Sequence, residues 1–122
     1  MNKNEIQRNI NDGLNNIRNG NRGHCGCFRF YKGPKRGNTW EHEFRKMQIC
    51  WELKKRGIVF YTEAIFHNGK RADVIDLTNA IIYEVLMSEK LEECKKKVEQ
   101  YPEFFEMRYV PADVEWETKL ID

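Results

Sequence analysis

The sequence predicts an α/β domain built on a mixed four-stranded sheet that is flanked by helices and preceded by one further helix. Three observations lead to this class. Apolar residues recur at helical spacing near the N-terminus and again after residue 38, three β-rich segments separated by turn signals fill residues 58–87, and a helix-like segment and a last strand follow. With 122 residues, 40% of them hydrophobic, the chain is long enough for a single domain, 1–122, with one modest core.

The N-terminal segment predicts an amphipathic helix over residues ~3–19. Ile6, Ile10, Leu14 and Ile17 recur at helical spacing, and Gly20 follows as a stop signal. Six of the eight glycines precede residue 38, so residues 20–37 are expected to be loop or short extended pieces. Residues 1–37 are therefore expected to form a helix followed by a glycine-rich arm.

The first helix of the core is predicted from Asn38 to Gly57. Asn38 followed by Glu41 is a capping pair, basic residues occupy the last turn, and Gly57 ends the helix. An apolar stripe runs along it, formed by Trp40, Phe44, Met47 and Trp51.

Three strands are predicted next, over residues 58–66, 71–77 and 80–87, with hairpins at Asn68-Gly69 and Thr78-Asn79. A helix over 88–102, stopped by Pro102, and a strand over 104–110 complete the order αβββαβ. A strand, a crossover helix and a strand form a right-handed parallel connection. An antiparallel meander with one parallel strand is therefore expected.

The charge is unevenly distributed. The chain carries a net charge of +2, but residues 1–38 hold eight basic and two acidic residues. A basic, glycine-rich stretch with aromatic residues can contact phosphates and stack on bases. DNA is therefore a predicted partner, the alternative being a solvated arm without a ligand. The expected contacts are Arg22, Arg29, Lys32, Lys35 and Arg36.

Several classes of function find no support in the sequence. There is no apolar run near the ~18 residues that cross a membrane, and the N-terminus is polar, so we expect a cytoplasmic protein with no membrane partner. No GxxxxGK, GxGxxG or GxSxG motif occurs, so no nucleotide cofactor or serine hydrolase is predicted. Zinc on His24, Cys25 and Cys27 is less favoured than free thiols, because the spacing is not that of a zinc knuckle.

Two acidic residues, Asp73 and Glu84, interrupt apolar strand segments. A two-residue turn at Thr78-Asn79 places them directly opposite each other, where like charges at about 5 Å destabilise a sheet. A shared Mg²⁺ or Mn²⁺ resolves this repulsion. The alternatives are that the strands splay, or that one acid turns to solvent or meets Arg71. Glu63 joins the site only if the Asn68-Gly69 loop has three or five residues.

The helical acid in "WEHEF", the Asp in "RADV" and the Glu in "YEV", together with the order αβββαβ, resemble the PD-(D/E)XK, or restriction-endonuclease-like, nuclease superfamily. The likeness is strongest to small archaeal, viral and Holliday-junction-resolvase-like members. It covers residues 38–110 and leaves out 1–37 and the tail 111–122. It implies a Mg²⁺-dependent endo- or exodeoxyribonuclease with the metal on Asp73 and Glu84 and with Glu41, or else Glu43, positioning metal or water.

One family position departs from the pattern. The superfamily carries a lysine two residues after the strand glutamate, and this chain has Leu86 there. We expect a displaced cation: Arg71, which faces Leu86 in the predicted register, Lys90, or one of Lys95 to Lys97. The alternative is a decayed site whose fold is kept for binding nucleic acid or for assembly. His42 is a weaker site candidate. A homodimer is possible, since many relatives dimerise, although the sequence shows no interface signature.

Overall fold

The computed structural model of the chain describes residues 1–18 and 39–122. These residues form an α/β fold with a mixed four-stranded open sheet and three α-helices, as predicted. The elements in chain order are α1 (Lys3–Asn15), α2 (Trp40–Lys55), β1 (Phe60–Ile65), β2 (Arg71–Asp76), β3 (Ile81–Leu86), α3 (Leu91–Val98) and β4 (Glu106–Pro111). Short 3₁₀ turns cover Ser88–Lys90 and Thr118–Ile121.

The sheet has the strand order β1-β2-β3-β4. The first three strands are antiparallel neighbours, and β4 runs parallel to β3 after the chain has crossed over through α3. Both the meander and the parallel crossover predicted from the turn signals are therefore confirmed. The open ends of β2 and β3, opposite their connecting turn, carry the predicted site residues Asp73 and Glu84.

The sheet is covered on both faces. The core on one face combines Ile10 and Leu14 of α1 with Val98 of α3, and that on the other contains Ile49 and Leu53 of α2. Residues 111–122, which lie outside the family resemblance, complete the second core, since Ile121 is fully buried and Trp116 packs beside it. The C-terminal tail is thus an integral part of the fold.

The helix boundaries differ in detail from the predictions. Helix α1 ends at Asn15 instead of near residue 19. It approaches the sheet so closely that a Cβ on Gly13 would lie 2.7 Å from Cδ2 of Leu77, so a side chain there would force Leu77 to move. Helix α2 is capped by Thr39 instead of Asn38, because the Thr39 side chain accepts the His42 N–H. Among the described residues, no helix is long and apolar enough to cross a membrane.

The apolar stripe of α2 faces away from the sheet. Trp40 and Trp51 are 64% and 63% exposed, and Phe44 and Met47 are exposed as well. The side toward the sheet buries two apolar residues, Ile49 and Leu53, and three charged residues, Glu43, Arg45 and Lys46. An amphipathic surface helix ordinarily turns its apolar stripe to the core. In α2 charged side chains occupy part of the inner face instead.

The β2–β3 hairpin has the predicted register but a different turn. Val74 pairs with Tyr83 and Asp76 with Ile81, so the turn has four residues, 77–80, instead of two. The longer turn forms because the Asp76 carboxylate accepts hydrogen bonds from the backbone N–H and side-chain amide of Asn79, at 2.8 and 2.9 Å. The predicted two-residue turn and the observed four-residue turn are both centred between Thr78 and Asn79, so the pairing register of the two strands is unchanged.

Candidate active site

Asp73 and Glu84 lie side by side at the open end of the hairpin. Backbone pairing of β2 with β3 extends no further than Val74 and Tyr83. Beyond that point Oδ2 of Asp73 accepts the Val85 N–H at 2.8 Å, and Oε1 of Glu84 accepts the Asp73 N–H at 3.3 Å. The strands therefore splay at this end, which was one of the alternatives to a shared metal. The two carboxylates nevertheless remain next to each other. Asp73 is 8% exposed and Glu84 2%.

On the other side of β2, the sheet is distorted at Glu63. Tyr61 and Ala64 contribute to the same core although strand alternation would put them on opposite faces, and Glu63 between them has a φ of +53°. The β1–β2 loop has three residues, since the Phe66 N–H bonds the Lys70 carbonyl at 2.8 Å. A three-residue loop was the condition under which Glu63 would turn toward the site, and this condition is met. Oε1 of Glu63 lies 2.7 Å from Nζ of Lys46 on α2.

His42 links helix α2 to the acidic pair. Its Nε2 lies 3.2 Å from Oδ2 of Asp73 and its Nδ1 lies 3.0 Å from Oε1 of Glu43. Both ring nitrogens can donate only when the imidazole is protonated. Burial lowers the pKa of His42, but the hydrogen bonds and charges of Asp73 and Glu43 outweigh burial and raise that pKa above its ordinary value.

The predicted helical acid Glu41 lies outside this cluster. Its side chain is exposed, and no hydrogen bond or ion pair connects it to Asp73 or Glu84 in the described residues. The prediction failed because Glu41 lies about 100° around the helix from its neighbour His42, which faces the sheet. Glu43, the second helical candidate, is buried and reaches Asp73 through His42.

Lys46 joins two carboxylates deep under α2. Its side chain is fully buried, with Nζ 3.0 Å from Oε2 of Glu43 and 2.7 Å from Oε1 of Glu63. Burial lowers the pKa of Lys46, but the two acids raise it above the usual value, so the ammonium stays charged. In the described residues no buried side-chain nitrogen or oxygen lacks a hydrogen-bond partner. This network fixes Glu43 and, through it, His42.

Lys97 of α3 reaches the acidic pair from the other face of the sheet. Its Nζ lies 3.5 Å from Oε2 of Glu84. Burial lowers the pKa of Lys97, but the charges of Glu84 and Asp73 raise it above the usual value. Cys94 lies three residues before Lys97, which puts the two on one face of α3, and Tyr101 follows beyond the helix end at Val98. That spacing is the sequence signal that singles out Lys97 from its neighbours Lys95 and Lys96.

Tyr101 holds the other oxygen of Glu84. Its hydroxyl lies 2.9 Å from Oε1 of Glu84 and donates to the Arg71 carbonyl at 2.6 Å. The hydroxyl is the donor in both contacts, so its single hydrogen is shared between the two acceptors. Sequence reasoning missed this residue because it lies next to Pro102, at the predicted helix end.

The two acids titrate differently. Burial, and after it the charge of Asp73, raises the pKa of Glu84 to about 8. Burial also acts to raise the pKa of Asp73, but the hydrogen bond and charge of His42 outweigh it and hold that pKa below the ordinary value. In the metal-free protein near neutral pH, Asp73 is therefore ionised and Glu84 largely protonated.

The pair opens into a cleft of about 450 Å³, which is lined among others by His42, Asp73, Glu84, Leu86, Lys90 and Lys97. Leu86, where the predicted resemblance would have a lysine, contributes an apolar side chain to the lining. Lys90 lies at the rim, half exposed, with Nζ 3.9 Å from Glu93. The cleft thus holds two of the predicted cation candidates, Lys90 and Lys97.

Arg71 is not part of the cleft lining. The predicted opposition of Arg71 and Leu86 is wrong, because β2 and β3 have separated before that point and Arg71 pairs with Ile65 of β1. Its Nε lies 3.8 Å from Oε2 of Glu63 instead. The five predicted DNA contacts of the arm, and the cysteines and histidine considered for zinc, lie outside the described residues.

Comparison of the chain with family models, curated proteins and solved structures gave no match. The resemblance to the PD-(D/E)XK superfamily therefore stays a prediction based on the residues quoted above. The function proposed for the cleft has to be supported by its geometry and chemistry.

Proposed function

We propose that the chain is a Mg²⁺- or Mn²⁺-dependent DNA nuclease with a restriction-endonuclease-like fold and a displaced active-site lysine. One observation carries the proposal: Asp73 and Glu84 are buried together at the mouth of an open cleft, with the Lys97 ammonium beside the second carboxylate. Burying two acids side by side costs free energy that packing alone does not recover. A role in binding a cation accounts for the arrangement.

The donor set suits a hard divalent cation. Among the described residues no group of three or more His, Cys, Asp or Glu side chains is arranged to hold a metal ion. Mg²⁺ does not require one, since it usually keeps several waters and takes one or two carboxylates from the protein. Asp73 and Glu84 would hold it, and Glu84 would lose its proton on binding. When bound, such an ion supplies Lewis-acid activation of phosphate and acidifies its water.

Residues of the chain would supply the remaining functions. In phosphodiester hydrolysis a water oxygen forms a bond to phosphorus while an ester P–O bond breaks, and the departing oxygen takes up a proton. The Lys97 ammonium donates hydrogen bonds to the attacking water or to a phosphate oxygen, where it stabilises the developing negative charge. His42 and Tyr101 orient Asp73 and Glu84 through the contacts described above, so both act as positioning residues.

A second candidate is a nuclease-fold protein that binds nucleic acid, or serves in assembly, without cleaving. The observation in its favour is that two cationic side chains contact the acidic pair, His42 at 3.2 Å from Asp73 and Lys97 at 3.5 Å from Glu84. Cations that replace a metal in this way leave a stable fold with a surface for phosphate. Cleavage separates the two candidates.

The test is a cleavage assay with the wild-type chain on single-stranded, duplex, flap and four-way junction DNA, with Mg²⁺, with Mn²⁺ and with EDTA. We expect cleavage of at least one form that requires metal and is abolished in Asp73→Asn. Glu106→Gln, which removes one exposed carboxylate at the far end of the sheet, is the control and should cleave normally. Binding of DNA without cleavage of any form would replace the nuclease proposal with the second candidate.

A further inference from the structure

The outer face of α2 carries a regular apolar seam. Trp40, Phe44, Met47 and Trp51 are separated by four, three and four residues, which is the a/d spacing of a coiled-coil heptad. All four side chains are exposed, and Ile49 and Leu53, which pack on the sheet, lie on the opposite side of the helix. The Trp40 and Phe44 rings stack with centroids 5.5 Å apart, so this end of the seam is already ordered.

We infer that this seam binds the same seam of a second copy of the chain, with the two α2 helices antiparallel. Residues at a and d positions pack against each other across an antiparallel helix pair. In that arrangement Trp40 lies against the partner's Trp51, and Phe44 lies against the partner's Met47. Every apolar residue of the seam then has an apolar neighbour, which is the self-complementarity required of a two-fold symmetric interface.

The exposed area is sufficient for a weak, reversible dimer. A tryptophan side chain presents up to about 250 Å², so at 64% and 63% exposure each of the two contributes roughly 150 Å². With Phe44 and Met47 the seam offers roughly 500 Å² per copy, or about 1,000 Å² in the pair, which is below the about 1,200 Å² of stable specific interfaces and in the range of weak, reversible ones. Aromatic residues and methionine are also the types enriched in such interfaces.

Charges at the ends of the seam favour a second copy over other partners. Glu41 is exposed at the N-terminal end, and Lys54 and Lys55 are exposed at the C-terminal end. Antiparallel packing brings Glu41 toward the partner's Lys55 and sets the two helix dipoles in opposite directions. The seam lies on the side of α2 opposite His42, so the inference does not depend on the metal chemistry.

The test is sedimentation velocity of the full chain over a range of concentrations. We expect a monomer–dimer equilibrium whose dissociation constant rises at least about tenfold in Met47→Lys. Val59→Lys is the matched control, because Val59 and Met47 are exposed to 41% and 44% but Val59 is outside the seam. A wild-type chain that stays monomeric at all concentrations, or a dimer that Met47→Lys leaves unchanged, overturns the inference.

A charge exchange tests the antiparallel orientation. Glu41→Lys should weaken the dimer because it places like charges near the partner's Lys55. Adding Lys55→Glu to the same chain should restore affinity, since the exchange recreates opposite charges across the two-fold axis. Circular dichroism confirms that each variant is folded. A double variant that dimerises as weakly as the single one contradicts antiparallel pairing.

Discussion

The ammonium of Lys97 lies 3.5 Å from Oε2 of Glu84, although the two residues belong to different elements, α3 and β3. Leu86, two residues after Glu84, lines the same cleft without a polar group. A cation is therefore present beside the acidic pair even though the expected lysine position on β3 is apolar. The crossover helix, packed on one face of the sheet, brings it there.

Lys97→Met should reduce metal-dependent cleavage about a hundredfold, because a positioned donor to the developing charge is worth a few kcal/mol. Lys95→Met is the matched control: Lys95 is on the same helix, is exposed to 49% against 47% for Lys97, and pairs with Glu92 instead of Glu84. Initial rates at saturating metal measure the effect. Equal reductions in the two variants would show that general helix charge, and not the Glu84 contact, supports activity.

Leu86→Lys should restore activity to the Lys97→Met variant. Residues 84 and 86 of one strand project from the same face about 6.5 to 7 Å apart, which puts a lysine at 86 within reach of the site. In the wild-type background the same substitution should give little or no gain, because Lys97 already supplies the charge. If Leu86→Lys fails to restore cleavage in a folded, metal-binding Lys97→Met protein, the two positions are not equivalent.

Metal affinity should rise with pH up to about 8. The pKa of Glu84 is raised to about 8, first by burial and then by the charge of Asp73, and the proton must leave when the carboxylate binds a metal. One released proton makes the affinity about tenfold stronger per pH unit below that pKa. Calorimetric titration with Mg²⁺ in buffers of different ionisation enthalpy measures affinity and proton release together. A pH-independent affinity between about pH 6 and 8 would show that Glu84 is not a ligand.

The metal-free protein should lose stability as pH rises through the same range. Folding raises the pKa of Glu84 from 4.5 to about 8 and raises that of His42 above 6.5. For a raised pKa the stabilisation is complete below the unfolded value and disappears as pH rises through the folded value. Urea unfolding in EDTA from about pH 5 to 8 should therefore show a falling free energy of unfolding. Glu84→Gln should flatten this decline, and an unchanged slope would contradict the assigned pKa.

Affinity for DNA should depend on the basic arm. Replacing Arg22, Arg29, Lys32, Lys35 and Arg36 by Gln should weaken DNA binding and make it less sensitive to salt. The slope of the logarithm of the binding constant against the logarithm of the salt concentration should fall in magnitude by up to about 0.9 for each phosphate that the arm no longer neutralises. Substitution is preferable to deletion of residues 1–37, because α1 packs on the sheet at Gly13, and Ile17, which follows α1, is buried in the core. Fluorescence anisotropy over a salt series measures both quantities, and an unchanged slope would remove the arm from the interface.

Local signals predicted the sheet well. Turn residues at Asn68-Gly69 and Thr78-Asn79 set the strand order, and the hairpin register followed from the midpoint of the second turn whether it held two residues or four. The same register brought Asp73 and Glu84 together. The splaying of the strands was not decided by the sequence, because it depends on side chains that replace backbone acceptors at one end of the ladder.

The positions on helices were harder to predict, because a helix can be rotated without changing its own sequence pattern. The stripe of α2 from Trp40 to Trp51 satisfies the pattern of a buried face, yet the buried ion pairs of Lys46 with Glu43 and Glu63 turn the other side toward the sheet. Because of that rotation, Glu41 points away from the acidic pair and His42 contacts it. Tertiary contacts determine the rotation, namely the ion pair of Lys46 with Glu63 of β1 and the burial of Ile49 and Leu53 against the sheet.

The claim that Asp73 and Glu84 together bind a divalent cation is tested most directly by anomalous scattering from Mn²⁺ in crystals of the protein. A peak between the two carboxylates, missing from crystals of Asp73→Asn grown and soaked alike, is the predicted result. Soaking should be done near pH 8, where Glu84 gives up its proton most readily. Wild-type crystals in which Mn²⁺ is absent from the pair at saturating concentration, with Lys97 still on Glu84, would contradict the account.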